Sequence, residues 1–318
     1  MPRAETPKDE RTSPRGWSGR TRGGYVGNSI FVALIRYIGP WCAYLLLVPV
    51  SFYYLFSAPK AVSASRDYLR RIDCGGDSWL ATMCLIFRHF FSFGKSLIDR
   101  VAVTEGNSQR FEFIFHGEDH IRQALAEGKG VVIISAHCGN WQAAANLLGR
   151  LDVAVNMAAY EGEAAPLRRF SPLTSGKAQV SLISLEDPLA AGIQIMSALR
   201  RGEIVAMHAD RALEESLTIQ VPFLGAAASF PVGPFAVAAV SGAPLIHTFA
   251  MRVSDYHYHF YAYPAEHLSF SRKHLERQEQ MRSWVGLFAA RLEETLRQYP
   301  LQWYNFYNFW EGSGPGSA

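Results

Sequence analysis

The chain has 318 residues, 49% of them hydrophobic and 19% charged, with a formal net charge of +3. That length accommodates one large core or two small ones, and a charge this small, without Lys/Arg runs interleaved with aromatics, argues against nucleic acid as a partner. Cys42, Cys74, Cys84 and Cys138 lie far apart in no C-x-x-C or Cys/His zinc spacing, which fits a reduced protein without a structural metal.

Residues 1–28 are rich in Arg, Gly, Ser and Pro, show no apolar periodicity and read as a disordered basic tail. Residues 29–58 are apolar almost throughout and form a membrane-anchoring helix in this reading, too long and too late in the chain for a secretory signal. The run Tyr37 to Phe56 is about long enough to cross a bilayer core. Arg36 precedes it and Lys60, Arg66, Arg70 and Arg71 follow, so charge gives no orientation. Pro40 and Pro49 kink the segment, and a helix dipping into one leaflet is preferred to one that spans.

Residues 59–312 then form the main domain, with 313–318 a flexible tail. From Asp77 to Val103 apolar residues recur at helical spacing, and an α/β rhythm comes after it. Residues 117–127 carry a helical pattern, VVIISA (131–136) is a β-branched run of buried-strand length, and QAAANLLGR (142–150) reads as a helix. Val153 to Ala158 predicts a strand, Pro188 to Arg201 a helix, and EIVAMHAD (203–210) a strand ending in polar residues. Two strands around PLIHTFAMR and YHYHFYAYP and a charged amphipathic helix from His274 to Gln298 complete the pattern. The expected fold class is therefore α/β, a mixed, mostly parallel sheet flanked by helices.

Functional groups in such sheets gather at the carboxyl ends of strands, and His137 stands where VVIISA ends. Gly139 allows a tight turn, Asn140 suits an N-cap, and Trp141 and Gln142 fall in the first helical turn. Free N–H groups at that helix start favour a neutral imidazole able to accept a proton. Cys138 adjoins His137, but neighbours on an extended segment point to opposite sides, so it reads as a small packed residue. His257 and His259 alternate with tyrosines and read as surface residues of a strand.

At this junction the sequence resembles the lysophospholipid acyltransferase superfamily, whose signature is a His, four residues, then an acidic residue. It is more closely similar to the bacterial lipid A late (lauroyl/myristoyl) acyltransferases, on the strand followed by HCGNW, on MHADR, on VPFLGAAASFPVGPFAVAAVSGAPLIHTFAMR and on the closing YPLQWYNFYNFW. The likeness covers roughly residues 30–310. It implies an acyltransferase that moves a fatty acyl chain from an acyl-carrier protein or acyl-CoA thioester to a hydroxyl or amine of a membrane lipid, with a lipid A-like acceptor. No metal or cofactor is implied, and the catalytic domain is expected to face the cytoplasm at a bacterial inner membrane.

One position departs from the signature. Gln142 stands where the family places an acidic residue. Its carbonyl can orient the imidazole but carries no charge to stabilise imidazolium, so an inactive lipid-binding member of the same fold is one alternative; a lipid or thioester hydrolase using the same His is the other, although no G-x-S-x-G elbow is present. Asp210 is the first candidate to supply that charge, with Glu161 or Glu163 second. Asn140 and Trp141 are expected at the substrate, Arg168 and Arg169 at the donor's phosphate or the oxyanion, and Arg211 either at substrate or paired with Asp210. Gly225 and residues 230–234 read as a loop shaping the acyl or acceptor channel.

Overall fold

In a computed structural model of the full chain, residues 24–74, 78–103, 107–141, 151–160, 180–212 and 216–310 are described. Gln142 and the helix expected at 142–150, as well as Glu161, Glu163, Arg168 and Arg169, lie outside them.

The apolar stretch expected as one helix is two. α1 (Gly24–Tyr37) begins inside the segment expected to be a tail, and α2 (Pro40–Ser57) starts after a break. Gly39 causes the break: its φ of +119° is unfavourable for other residues, and Pro40 behind it can start a helix but not continue one. α3 (Pro59–Arg71), which the sequence reading missed, comes next with Pro59 in its first turn. α4 (Trp79–Ala102) begins at Ser78, whose hydroxyl accepts from the Ala81 N–H 3.2 Å away.

Seven strands form the main sheet among the described residues: β1 (Glu112–His116), β2 (Val131–Ser135), β3 (Val155–Ala159), β4 (Val180–Ser184), β5 (Ile204–His208), β8 (Leu245–Ser254) and β9 (His257–Ala262). Their order is β1-β9-β8-β2-β5-β3-β4, with every neighbouring pair parallel except β8 and β9. The mixed, mostly parallel sheet is the expected fold class. β2 is apolar on both faces because both are covered, which explains its unbroken VVII run. α5 (Glu118–Ala126) covers one face, over Ile133, Met157, Ala250 and Phe260. The other face carries the larger core, joined by α6 (Pro188–Arg200), α7 (Gly233–Ser241) and α8 (His274–Gln298).

β6 (Thr218–Phe223) and β7 (Ala226–Pro231) pair antiparallel in a separate hairpin. Of the residues expected to shape a channel loop, Gly225 is in the turn of this hairpin, Phe230 and Pro231 end β7, and Gly233 and Pro234 begin α7. Leu224 and Gly225 form its two-residue turn, both with positive φ (+49° and +77°), so Gly225 has a conformational reason for its identity at an exposed position. The inward faces of Phe223 and Phe230 pack against Phe309, beside Trp303 and Trp310. The hairpin therefore props the C-terminal segment against the body of the domain.

α2 lies along α4, and both of its ends are packed on the domain. Ala43, Tyr44 and Leu47 join a core with Ile98, Phe111 and Tyr258, whereas Tyr54 and Leu55 touch the main core beside α3. Between them Phe52 meets Phe87 of α4, ring centroids 4.5 Å apart. α3 is fixed in turn: Tyr68 donates to the Pro300 carbonyl at 2.8 Å, and Ser65 bonds Nδ1 of the buried His89 at 2.8 Å. The other ring nitrogen of His89 donates to the Trp303 carbonyl, also at 2.8 Å. Burial holds the His89 pKa down at about 4, so the ring is neutral at neutral pH and the Ser65 hydroxyl donates to it.

Candidate active site

His137 sits two residues beyond β2, in a turn fixed by backbone bonds on every side. Its carbonyl accepts from Tyr304 N–H at 2.9 Å, Gly139 N–H donates to the Gln302 carbonyl at 2.8 Å, and Asn140 N–H donates to the Ala250 carbonyl at 2.8 Å. Gly139 cannot be replaced here without rearrangement. Its φ is +58°, and a Cβ would come within 1.8 Å of the Ala250 oxygen.

Asp210, two residues beyond β5, is fully buried, and N–H groups converge on its carboxylate. His137 Nδ1 lies 2.7 Å from Oδ1. Oδ2 accepts from the His137 main-chain N–H at 3.0 Å, Trp303 Nε1 at 3.0 Å and Asn305 Nδ2 at 3.3 Å. Burial by itself would raise the Asp210 pKa, but His137 in hydrogen-bonding contact, with Arg211 and His208 nearby, holds it well below the usual carboxylate range. An ionised Asp210 has no proton to give, so Nδ1 carries the hydrogen and the basic lone pair of His137 is on Nε2.

The parallel sheet explains why residues 73 apart in sequence meet. β2 and β5 are adjacent, with Ser135 opposite His208 in register, so the segments leaving their carboxyl ends emerge side by side. The same register brings in His208, which the sequence reading overlooked: its ring centroid is 4.1 Å from that of His137, and Trp141 meets it edge-on at 4.5 Å. Trp141 and His208 line a small recess on the α5 face of the sheet, with Met157, Ala159, Thr248 and Phe260 among its other walls. His137, His208 and Asp210 have ligand atoms within 4.8 Å of one another, a spacing that would admit a metal ion. A cation on Oδ1 would compete with the Nδ1–H of His137, and the neutral N–H donors around Asp210 already occupy acceptor positions of its carboxylate.

The other expected site residues divide. Asn140 is buried, and its amide donates to the Ser96 carbonyl at 3.4 Å, which ties it to α4. Arg211 donates from Nε to Asn305 Oδ1 at 2.7 Å and from Nη2 to the Tyr304 carbonyl at 3.0 Å, clamping the C-terminal segment. Gly225 is in the exposed hairpin turn described above. Cys138 is fully buried, as expected, and burial raises its thiol pKa, so it is a poor nucleophile. His257 is exposed and His259 partly so, as read from the alternating strand. Trp303 and Asn305 were missed as site residues. The only sequence signal was their place in the closing segment, since nothing in spacing says that a residue 93 positions downstream donates to Asp210.

Comparison with known proteins identifies the family. The sequence profile of the bacterial lipid A biosynthesis acyltransferases matches residues 85–311. Among solved structures, the chain is similar to the 1-acyl-sn-glycerophosphate (LPA) acyltransferase PlsC from Thermotoga maritima, at 13% identity and a TM-score of 0.36, over 79% of this chain and 96% of that one. No curated protein matches it. The profile spans well over half of the chain and includes His137, Asp210 and the C-terminal segment that holds them, and the protein belongs to the bacterial lipid A biosynthesis acyltransferase family.

Proposed function

We propose that the protein transfers a fatty acyl chain from an acyl-carrier protein or acyl-CoA thioester to a hydroxyl of a membrane glycolipid resembling a lipid A precursor. The observation that carries this reading is the His137–Asp210 pair, 2.7 Å apart at the carboxyl end of the parallel sheet beside an apolar recess. Asp210 holds the imidazole with Nε2 as the base. The acceptor O–H gives its proton to Nε2 as its oxygen attacks the thioester carbonyl carbon. The tetrahedral intermediate then expels the sulfur, which takes the proton back from Nε2, leaving an ester and a free thiol. Arg168 and Arg169 keep their proposed roles at the oxyanion or the donor's phosphate, and Gln142 its proposed role as a second group orienting the imidazole. The direct test supplies the purified protein with labelled lauroyl-acyl-carrier protein or lauroyl-CoA and vesicles containing a lipid A precursor that lacks its secondary acyl chains. Label is expected in the glycolipid; label released only as free fatty acid would mark a thioester hydrolase instead.

The membrane arrangement is read from α2, which by length and composition is able to cross a bilayer. We infer that it lies in one leaflet. Tyr44 near its start and Tyr54 and Leu55 near its end are packed on the same domain, so the two ends do not reach opposite sides of a membrane. Its outer face is apolar at helical spacing, with Trp41 51%, Phe52 48% and Phe56 81% exposed, and Trp79 and Leu80 of α4 are also exposed. The inner-membrane, cytoplasm-facing placement is part of the proposal, because acyl thioesters are made in the cytosol. Replacing Trp41, Leu45, Phe52 and Phe56 together with serine should release the protein from vesicles in a flotation assay without changing its circular dichroism. Continued flotation at the wild-type level would reject this face as the membrane contact.

A further inference from the structure

The seam between α2 and the catalytic domain contains a buried charge. Asp99 of α4 is fully buried, and its carboxylate accepts from the hydroxyls of Tyr44 on α2 and Tyr258 on β9. Arg252 of β8 has Nη1 3.6 Å from Oδ2 of Asp99, and Lys95, paired with Asp255, lies 4.4 Å over the Tyr44 ring. Replacing a buried ionic cluster by well-packed apolar side chains often leaves stability unchanged or improves it, so such a cluster is better explained by the geometry it fixes.

That geometry leads to the His137 turn by two routes. In the first, Tyr258 lies beside Asn140, which is three residues after His137 and donates to the carbonyl of Ser96 on α4. In the second, the main chain of Arg252 is clasped by the side chain of Gln302, whose Oε1 accepts from Arg252 N–H at 2.9 Å and whose Nε2 donates to the Arg252 carbonyl at 2.7 Å. The Gln302 main-chain carbonyl then accepts from Gly139 N–H at 2.8 Å. Arg252 also donates from Nη2 to Ser92 Oγ at 2.8 Å, and the Tyr304 hydroxyl bonds Ser96 at 2.8 Å while its N–H holds the His137 carbonyl.

We propose that Asp99 and Tyr44 are positioning residues: their bond, with Arg252 and Tyr258, locks the lipid-facing helix to the turn that carries His137 and so sets where the catalytic base stands relative to the membrane surface. This rests on the acyltransferase reading and on α2 as the lipid contact. Apolar packing alone, such as Leu47 on Gly94, would allow the helix to slide, whereas a carboxylate holding hydroxyls from two elements fixes register. The joint acts on the approach of a membrane-embedded acceptor and leaves the His137–Asp210 pair itself intact.

The test uses the full-length protein in phosphatidylethanolamine–phosphatidylglycerol vesicles and the variants Tyr44→Phe and Asp99→Asn. In a background with the four cysteines replaced, spin labels at Phe56 on α2 and Leu189 on α6, both exposed, report the distance between helix and domain. The distribution should be narrow in the parent and broadened in both variants. With lauroyl-CoA as donor, Tyr44→Phe should lower kcat for transfer to a vesicle-embedded lipid A precursor roughly tenfold, with the donor KM and vesicle binding unchanged. His137-dependent hydrolysis of lauroyl-CoA without acceptor should change less than about twofold. Unchanged distance distributions, or transfer and hydrolysis falling in equal proportion, would overturn the proposal. A parent protein that acylates nothing would reject the functional reading alone, because the spectroscopic distances still decide on the joint.

Discussion

His137→Ala should abolish acyl transfer while the protein stays folded. The main-chain bonds of the turn, from His137 N–H to Asp210 and from Tyr304 N–H to the His137 carbonyl, do not involve the imidazole and survive its removal. Asp210 keeps its bonds from Trp303 and Asn305, so the buried carboxylate is not stranded. The loss is confined to the proton acceptor. General-base catalysis is worth about 10²–10⁴-fold, and a loss of that size in kcat/KM with an unchanged thermal unfolding curve is the expected result. Full activity in a purified, folded preparation would remove His137 from the mechanism, whatever the fold.

Much of this site is legible in the sequence because its two central residues stand just beyond strands whose character is unmistakable. VVIIS and IVAMH are β-branched or apolar runs of the right length, and a parallel sheet brings the segments leaving such strands together at one end. That is why Asp210, put forward to supply the charge Gln142 lacks, is found on His137 Nδ1. Residues that act by distant contact were hidden. Trp303 and Asn305 reach Asp210 from the C-terminal segment, and His208 meets His137 only because β2 and β5 are neighbours, which no local pattern encodes. Short elements were also hidden. β1 alternates over five residues only, and the hairpin announces itself by Leu-Gly where Asn-Gly or Asp-Gly would be the usual signal. In the apolar stretch 29–58 Pro40 signals a kink, but not that Gly39 before it makes a full break, because hydropathy is blind to φ.

Asp210→Asn should damage transfer about as severely as His137→Ala, through the tautomer of the imidazole. Three N–H groups point at Oδ2 of Asp210 and one, from His137 Nδ1, at Oδ1. An asparagine has a single oxygen, and placing it against the three donors is the cheaper choice. Its amide then faces His137 and donates to Nδ1, which moves the ring hydrogen to Nε2, the atom needed as base. The opposite orientation sets an NH2 against three donors in a dry interior, which costs stability. Either way the expected loss is roughly 10²–10⁴-fold in kcat. Acid sensitivity separates the causes. Because the folded-state pKa of Asp210 is depressed, its contribution to stability is present above its unfolded pKa and is lost as pH falls through the folded value; Asp210→Asn should lack that portion of the acid unfolding. Gln142→Glu completes the comparison. With Asp210 already supplying the charge, a second carboxylate near the ring should bring little gain or a loss, whereas a site that depends on position 142 for charge should speed up, its acid limb moving because a nearby anion favours imidazolium. Wild-type rates for Asp210→Asn together with a strong gain for Gln142→Glu would assign the orienting role to position 142 and leave Asp210 as a structural anchor for the C-terminal segment.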